Sequence, residues 1–398
     1  MAPSIAERYV LLALRLGRHV DGLVDGYFGP PELQSTVEAE ERVPAQELLD
    51  EAAALLEDVA GTDDDEYDPQ RRRWFDGQLR GLACVAELTS GAELPWPQTV
   101  RRCYGIDVTP TPEERFAEAH DRLDCALPGS GELATRLQGW NRSQEVPTDK
   151  LLAAFDALVD ELRTRTLELV DLPGGERLER ELVRGKPWGA YNWYLGERRS
   201  RIEINSDLAL RSYYLTALVA HEVYPGHHTE HACKEAQLVD ELGRIEPSIL
   251  AIHTPECLVS EAIAQVAIEQ ALGDEWPERA AELLHPLGVP FDAETAHTVV
   301  AAGHVLDDVG VNVAYFAAVE GRPKEQCVEY QRRWGLSEEE RARKAVEFGT
   351  HPMWGVYVPT YSYGYRLARA FARSGEGGFG RLLTEQLTAS DLLAAAAA

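Results

Sequence analysis

Between residues 220 and 231 the chain reads Ala-His-Glu-Val-Tyr-Pro-Gly-His-His-Thr-Glu-His, and this segment restricts the possible folds more than any other. Leu215, Leu218 and Val219 recur at helical spacing just before it, so a helix delivers His221 and Glu222. That helix cannot run on unbroken. Pro225 has no amide to donate to the carbonyl of residue 221 and its ring clashes with it, while Gly226 tolerates backbone that other residues resist. In a continuous helix the step from His221 to His227 turns through about 240°, and the step to His228 rises ~10.5 Å. A break at Pro225-Gly226 is therefore what can swing His227 or His228 back towards His221.

Four of the eleven histidines fall between His221 and His231, two of them with a glutamate close by in sequence. A single histidine on a helix is usually a satisfied structural residue; four together, with carboxylates, form a donor set suited to Zn²⁺. The common zincin spacing, HExxH, sets both imidazoles on one helix face with the glutamate beside the metal's water. Here Pro225 occupies the fourth position after His221, so the second ligand must come from beyond the break. A rival reading also fits. His227-His-Thr-Glu-His231 matches HxxEH, with His227 and His231 as ligands and Glu230 as base.

The run His221–His228 resembles the HExxPGHH signature of the bacterial domain-of-unknown-function 885 family, similar in fold to the carboxypeptidase Taq zinc metallopeptidases of the gluzincin group. The resemblance spans about residues 190–370 and is sharp only at 221–228. It implies a mainly α, multi-helix, zincin-like metallopeptidase fold with a small β-hairpin or sheet beside the metal-binding helix, its edge lining up a peptide. It makes Glu261, in Glu-Ala-Ile-Ala-Gln-Val-Ala-Ile-Glu269, the third zinc ligand. It makes Tyr363, in Pro359-Thr-Tyr-Ser-Tyr-Gly-Tyr-Arg366, the residue for oxyanion stabilisation or substrate contact. Without it, Glu261 reads as an exposed charge on an amphipathic helix, and Tyr361, Tyr363 and Tyr365 as packing residues with wet hydroxyls. The segment Gly335–Glu340 also resembles a family stretch, and its Ser337 and Glu340 have capping-box spacing. Three positions depart from the pattern: Gly364 stands where lysine is usual, Asn312 where histidine is, and Ala262 where glycine is. His227 is preferred to His228 as the second ligand because it begins the segment after Gly226, and the sequence leaves the choice open.

The rest of the chain reads as helix after helix. Leu48, Leu49, Ala52, Leu55, Leu56 and Val59 form one apolar stripe; Leu151, Leu152, Phe155, Leu158, Val159 and Leu162 form another. The segment 188–205 breaks the rhythm. An aromatic run, a Gly196–Ser200 turn and an alternating Arg201–Asn205 predict a β-hairpin, with Ser206 and Asp207 as caps for the next helix. Gly61–Pro69 and Gly129–Gly131 read as loops, and Ser374–Gly380 and Ala394–Ala398 as mobile stretches. With 398 residues the chain is expected to form a single catalytic unit, an N-terminal helical lobe at about 1–187 and a metal-bearing half at about 188–398.

A formal net charge of −28 disfavours nucleic acid and anionic membranes as partners. The N-terminus reads as an amphipathic helix rather than a signal peptide, and no apolar run is long enough for a membrane span. Six scattered cysteines without a CxxC pair suggest reduced thiols and a cytoplasmic protein. Nothing in the sequence sets an oligomeric state. The function expected is that of a zinc-dependent hydrolase acting on a peptide or small amide. Zinc would be held by His221, His227 and Glu261, Glu222 would be the general base, and Tyr363 would assist. Carboxypeptidase-like action follows from the resemblance alone. The alternatives are a zinc amidohydrolase for a non-peptide amide and a non-catalytic metal-binding helical protein.

Overall fold

Apolar residues three and four apart become helix faces along most of the computed structural model, which describes residues 3–186, 188–374 and 378–397. The first predicted stripe is the helix Ala45–Ala60, burying Leu48, Ala52, Leu55 and Val59. The second is the helix Leu151–Leu169, burying Leu151, Phe155, Leu158 and Leu162. The N-terminal helix Ile5–Gly17 begins with a reciprocal capping box between Ser4 and Glu7. No helix among the described residues is long and apolar enough to cross a membrane.

The helix Pro255–Leu272 organises the rest. Leu258, Val259, Ala262, Ile263, Val266 and Ala267 are buried along one half of its circumference and Cys257, Ala264 and Ile268 along the other, so apolar residues cover nearly all of it. Such a helix belongs in a core and not at a surface. The amphipathic reading of this segment is therefore corrected, and with it the reading of Glu261 as an exposed charge. The helix Pro359–Arg373 packs against it so closely that a Cβ at Gly364 would lie 3.1 Å from the Cβ of Ala262. That contact favours small residues at both positions, since any side chain at 364 would press on Ala262.

Among the described residues five strands accompany the helices: β1 Val24–Tyr27, β2 Arg177–Val183, β3 Ala190–Gly196, β4 Arg199–Asn205 and β5 Ile249–Ala251. The predicted hairpin is β3–β4, antiparallel, with Ala190 opposite Ile204. Glu197 and Arg198 in its turn have φ of 54° and 57°, the left-handed pair of a tight hairpin turn. β2, which the sequence did not announce, pairs parallel to β4 in the order β2-β4-β3, leaving β3 at an edge. β1 and β5 form a separate antiparallel pair.

Three local expectations are corrected. The helix after the hairpin starts at Ser212 with Arg211 at its N-cap, while the Asp207 carboxylate accepts from the Gly185 amide at 2.7 Å. Ser337 donates to the Gly335 carbonyl and forms no capping box; the next helix begins at Glu339. Ala389–Ala397 is helical, so most of the stretch expected to be mobile is ordered, with Ala398 outside the described residues. Residues 375–377 of the other stretch also lie outside them.

Packing ignores the midpoint of the chain. One apolar cluster joins Leu123, Phe155 and Leu158 to Ile202, Leu215 and Val299, and another joins Tyr9, Trp74 and Phe75 to Ile249 and Ala251. The second is fastened by a bidentate ion pair: Arg71 meets fully buried Glu246 at 2.7 and 2.9 Å, and Gln386 adds a bond at 3.2 Å. Removing one partner strands a buried charge, which typically costs about 3–5 kcal/mol, whereas replacing both with apolar residues is often neutral. Arg71→Met should therefore lower unfolding free energy by about that amount in urea titration, and Glu246→Leu added to it should recover most of the loss.

Candidate metal centre

The break at Pro225-Gly226 is local and tight. The helix Ser212–Glu222 stops as Val223 takes φ −121°, ψ −91°. The Tyr224–Pro225 peptide is cis, and a new helix runs from His227 to Lys234. The Gly226 amide turns back to donate to the Ala220 carbonyl at 2.9 Å, and Thr229 donates to Val223 at 3.3 Å. A Cβ on residue 226 would lie 1.9 Å from the His221 oxygen and 2.4 Å from that of Ala220, so only glycine fits. The outcome is the one the sequence suggested: the His221 and His227 rings stand edge to face with centroids 4.7 Å apart.

The buried helix brings the third residue. Candidate ligand atoms of His221, His227 and Glu261 all lie within 4.8 Å of one another. His221 Nε2 is 3.7 Å from Glu261 Oε2, and His227 Nε2 is 3.9 Å from Glu261 Oε1. Glu261 Oε1 accepts from the Tyr357 hydroxyl at 2.6 Å, while Oε2 is buried with no hydrogen-bond partner. Two imidazoles and a buried carboxylate oxygen aimed between them are a donor set that fits a zinc ion.

The geometry bears on each choice that the sequence left open. Fully buried His228 points elsewhere, with Nδ1 2.8 Å from Ser200 Oγ and Nε2 3.1 Å from Glu176 Oε2. His227, Glu230 and His231 do form a second compact group, and His231 stacks on His227 at 6.0 Å. Glu230 is nevertheless committed: Lys234 Nζ donates to it at 2.7 Å and Ser260 at 2.6 Å. A carboxylate held by a buried ammonium is a poor general base, which disfavours the HxxEH reading. Tyr363 is not brought to the cluster. Its hydroxyl is tied to the backbone of Thr109, accepting at 3.1 Å and donating at 3.2 Å. Two residues on a helix point roughly 200° apart, so Tyr361 takes the other side and packs edge-on against Tyr357 at 5.4 Å. The tyrosine that reaches Glu261 is Tyr357.

Electrostatics mark the same place. Glu222 is 8 % exposed and has no basic side chain paired with it among the described residues. Burial pushes its carboxyl up to about 7, with Glu261 and Asp25 adding to the rise and His227 opposing it. Burial also raises Glu261, and lowers His221 well below the usual imidazole range. For His227 burial lowers the pKa, but Glu230, Glu261 and Glu222 outweigh it and lift the ring to about 9. Acids crowded in a water-poor pocket favour a bound cation, and such shifts cluster at functional sites.

Several contributors were not singled out from the sequence. Asp25 on β1 carries a carboxyl raised by burial and receives the Tyr191 hydroxyl of β3. Asn192 donates from Nδ2 to the Glu222 carbonyl at 2.6 Å, and its Oδ1 is buried without a partner. The aromatic hairpin was a usable signal for Tyr191 and Asn192; Asp25 and Tyr357 sit in no motif.

No protein-family model matches the chain, and no curated protein matches it either. Among solved structures it is similar to a chain from Colwellia psychrerythraea described as a candidate lipoprotein, with TM-score 0.55 and 13 % identity over 92 % of this chain and 72 % of that one. It is also similar to one from Shewanella oneidensis, a candidate lipoprotein of unknown function, with TM-score 0.50 and 12 % identity over 95 % of this chain and 77 % of that one. These likenesses concern the fold alone. They correct the family resemblance: the domain-of-unknown-function 885 and carboxypeptidase Taq assignment is withdrawn, because no family model takes in the chain and its structural neighbours carry no peptidase description.

The break itself is open to test. Gly226→Ala puts a methyl group inside contact distance of two backbone oxygens. It should cost several kcal/mol or force the two helices apart, as overpacking of a site that cannot relax does. Thermal melting together with zinc titration of the variant reads both effects. Unaltered stability and binding would mean the turn can relax far more than its geometry suggests.

Proposed function

We propose that this chain is a zinc-dependent hydrolase of amide bonds, with a peptide as the first candidate substrate. The observation that carries the proposal is the meeting of His221, His227 and Glu261 from two broken helix segments and a buried helix, with the carboxylate-bearing Glu222 directly beside the first of them. His221, His227 and Glu261 would hold the ion. A closed structural zinc site takes four protein ligands, so a set of three with an adjacent base favours catalysis over a purely structural metal. Bound there, zinc supplies Lewis acidity and lowers the pKa of water to near neutrality.

The remaining roles belong to the chain. Glu222, raised to about 7, is suited both to take a proton from water and to return it to a leaving amine. Asn192 fixes the backbone of Glu222 from the edge strand β3. Tyr357 donates to Glu261 Oε1 and steadies that carboxylate. The arrangement proposed for these helices around the ion is of the zincin type. Nothing in the site favours carboxypeptidase action, and a non-peptide amide is the second reading. The net charge of −28 supports neither nucleic acid nor anionic lipid as partner, and six free cysteines, five of them buried, support a reducing compartment such as the cytoplasm.

Glu222→Gln keeps the side chain's size and leaves the three ligands alone. Against a peptide library its hydrolysis should fall by ~10²–10⁴-fold while zinc content and melting temperature persist. Glu230→Gln, measured beside it, separates the two readings of the motif. Full activity in Glu222→Gln with zinc in place would remove the mechanism, and a wild-type protein that cleaves nothing with zinc bound would favour the non-catalytic alternative.

A further inference from the structure

His227 turns its second ring nitrogen away from the cluster towards a buried chain of side chains that the proposed reaction does not use. Nδ1 lies 3.2 Å from Ser260 Oγ, and Ser260 donates to Glu230 Oε2 at 2.6 Å. Lys234 Nζ donates to Glu230 Oε1 at 2.7 Å and also bonds Glu256 Oε1. Glu256 Oε2 accepts from the Trp74 indole at 2.7 Å, and its amide donates to Gln78 at 3.1 Å. Ser260, Glu230, Lys234 and Glu256 are exposed by only 2, 1, 4 and 9 %.

Donor inventory gives each link a direction. An ammonium and an indole N–H can only donate, so both carboxylates accept. Ser260 has one proton, and its geometry sends that proton to Glu230. The serine oxygen is then left to accept, and the donor facing it is His227 Nδ1. Once the proton on Nε2 is given up to a cation, a ring that keeps its hydrogen on Nδ1 presents the Nε2 lone pair, and Nε2 is the atom that faces Glu261. The second nitrogen of a metal-binding imidazole is usually fixed in this way by an outer partner, which selects tautomer and ring orientation.

We infer that Ser260, backed by Glu230, Lys234 and Glu256, is a positioning relay. It fixes the tautomer and orientation of His227 and fastens them to Trp74 and Gln78 on the helix Pro69–Thr89. The ring's placement follows from the relay's own geometry; only its consequence for zinc rests on the function proposed above. The relay also gives a task to the N-terminal part of the chain, in which no motif was found. Lys234 serves to hold the two acids as acceptors, and Glu230, which the HxxEH pattern would make a base, serves as the acceptor that orients Ser260.

The test compares full-length Ser260→Ala and Ser260→Thr with the wild type, by crystal structure and by zinc competition against a chromophoric chelator. Ser260→Ala removes one small buried hydroxyl and should melt near the wild-type temperature. It should bind zinc ~10–100-fold more weakly, with the His227 ring rotated off Glu261. Ser260→Thr keeps the hydroxyl and should restore both the ring and the affinity. If the wild type takes up no zinc, the proposed function fails, and the ring position in the two variants still decides the relay. A Ser260→Ala protein whose His227 still faces Glu261, or whose zinc affinity is unchanged, overturns the inference. So does a Ser260→Thr protein that recovers neither, since the effect would then be one of packing.

Discussion

The approach of the Gly226 backbone to the carbonyls of Ala220 and His221 is the contact on which the rest of the site depends. A helix that ran on would carry His227 to the opposite face, about 240° from His221. Because residue 226 has no side chain, its amide can fold back onto the Ala220 oxygen at 2.9 Å and start a second helix there. Two imidazoles then meet at right angles without sharing one helix. Pro225 ends the first helix, and Gly226 sets the angle at which the second begins.

The second constraint is the burial of the helix Pro255–Leu272. Polar groups on such a helix are costly unless each finds a partner. Glu256 finds Lys234 and Trp74, Ser260 finds Glu230 and His227, and Glu261 finds Tyr357 on one oxygen and nothing on the other. Ser260 lies four positions after Glu256 and directly before Glu261, so less than two turns of one helix supply both a candidate ligand and the groups that brace its neighbour. Among Glu256, Ser260 and Glu261 the orphaned oxygen of Glu261 is the exception, and it faces His221 Nε2 at 3.7 Å.

Much of this was legible in the sequence wherever a pattern was local. Helical stripes, the β3–β4 hairpin and the break at Pro225-Gly226 all depend on residues a few positions apart. What escaped depends on distant contacts. β2 carries alternating charge in Arg-Leu-Glu-Arg-Glu-Leu-Val and becomes a strand by pairing with β4. Asp25 reaches the site through Tyr191, across more than a hundred residues. Tyr363 was singled out by the resemblance of Pro359–Arg366 to a family stretch, but helix geometry turns its hydroxyl to Thr109. Spacing alone could not choose between His227 and His228. Ser200 and Glu176 lie against the two nitrogens of His228, which favours His227. The family assignment failed for a related reason: an eight-residue likeness speaks to a local turn, and the comparisons extend it to no peptidase family.

The central claim is that a break in one helix assembles a zinc site from His221, His227 and Glu261. Diffraction from crystals grown with zinc, recorded on either side of the zinc absorption edge, tests it most directly. The account predicts one strong anomalous peak in contact with His221 Nε2, His227 Nε2 and a Glu261 oxygen, at the ~2.0–2.2 Å typical of zinc with nitrogen and oxygen ligands. A peak held instead by His227, Glu230 and His231, or none at either place, would contradict it.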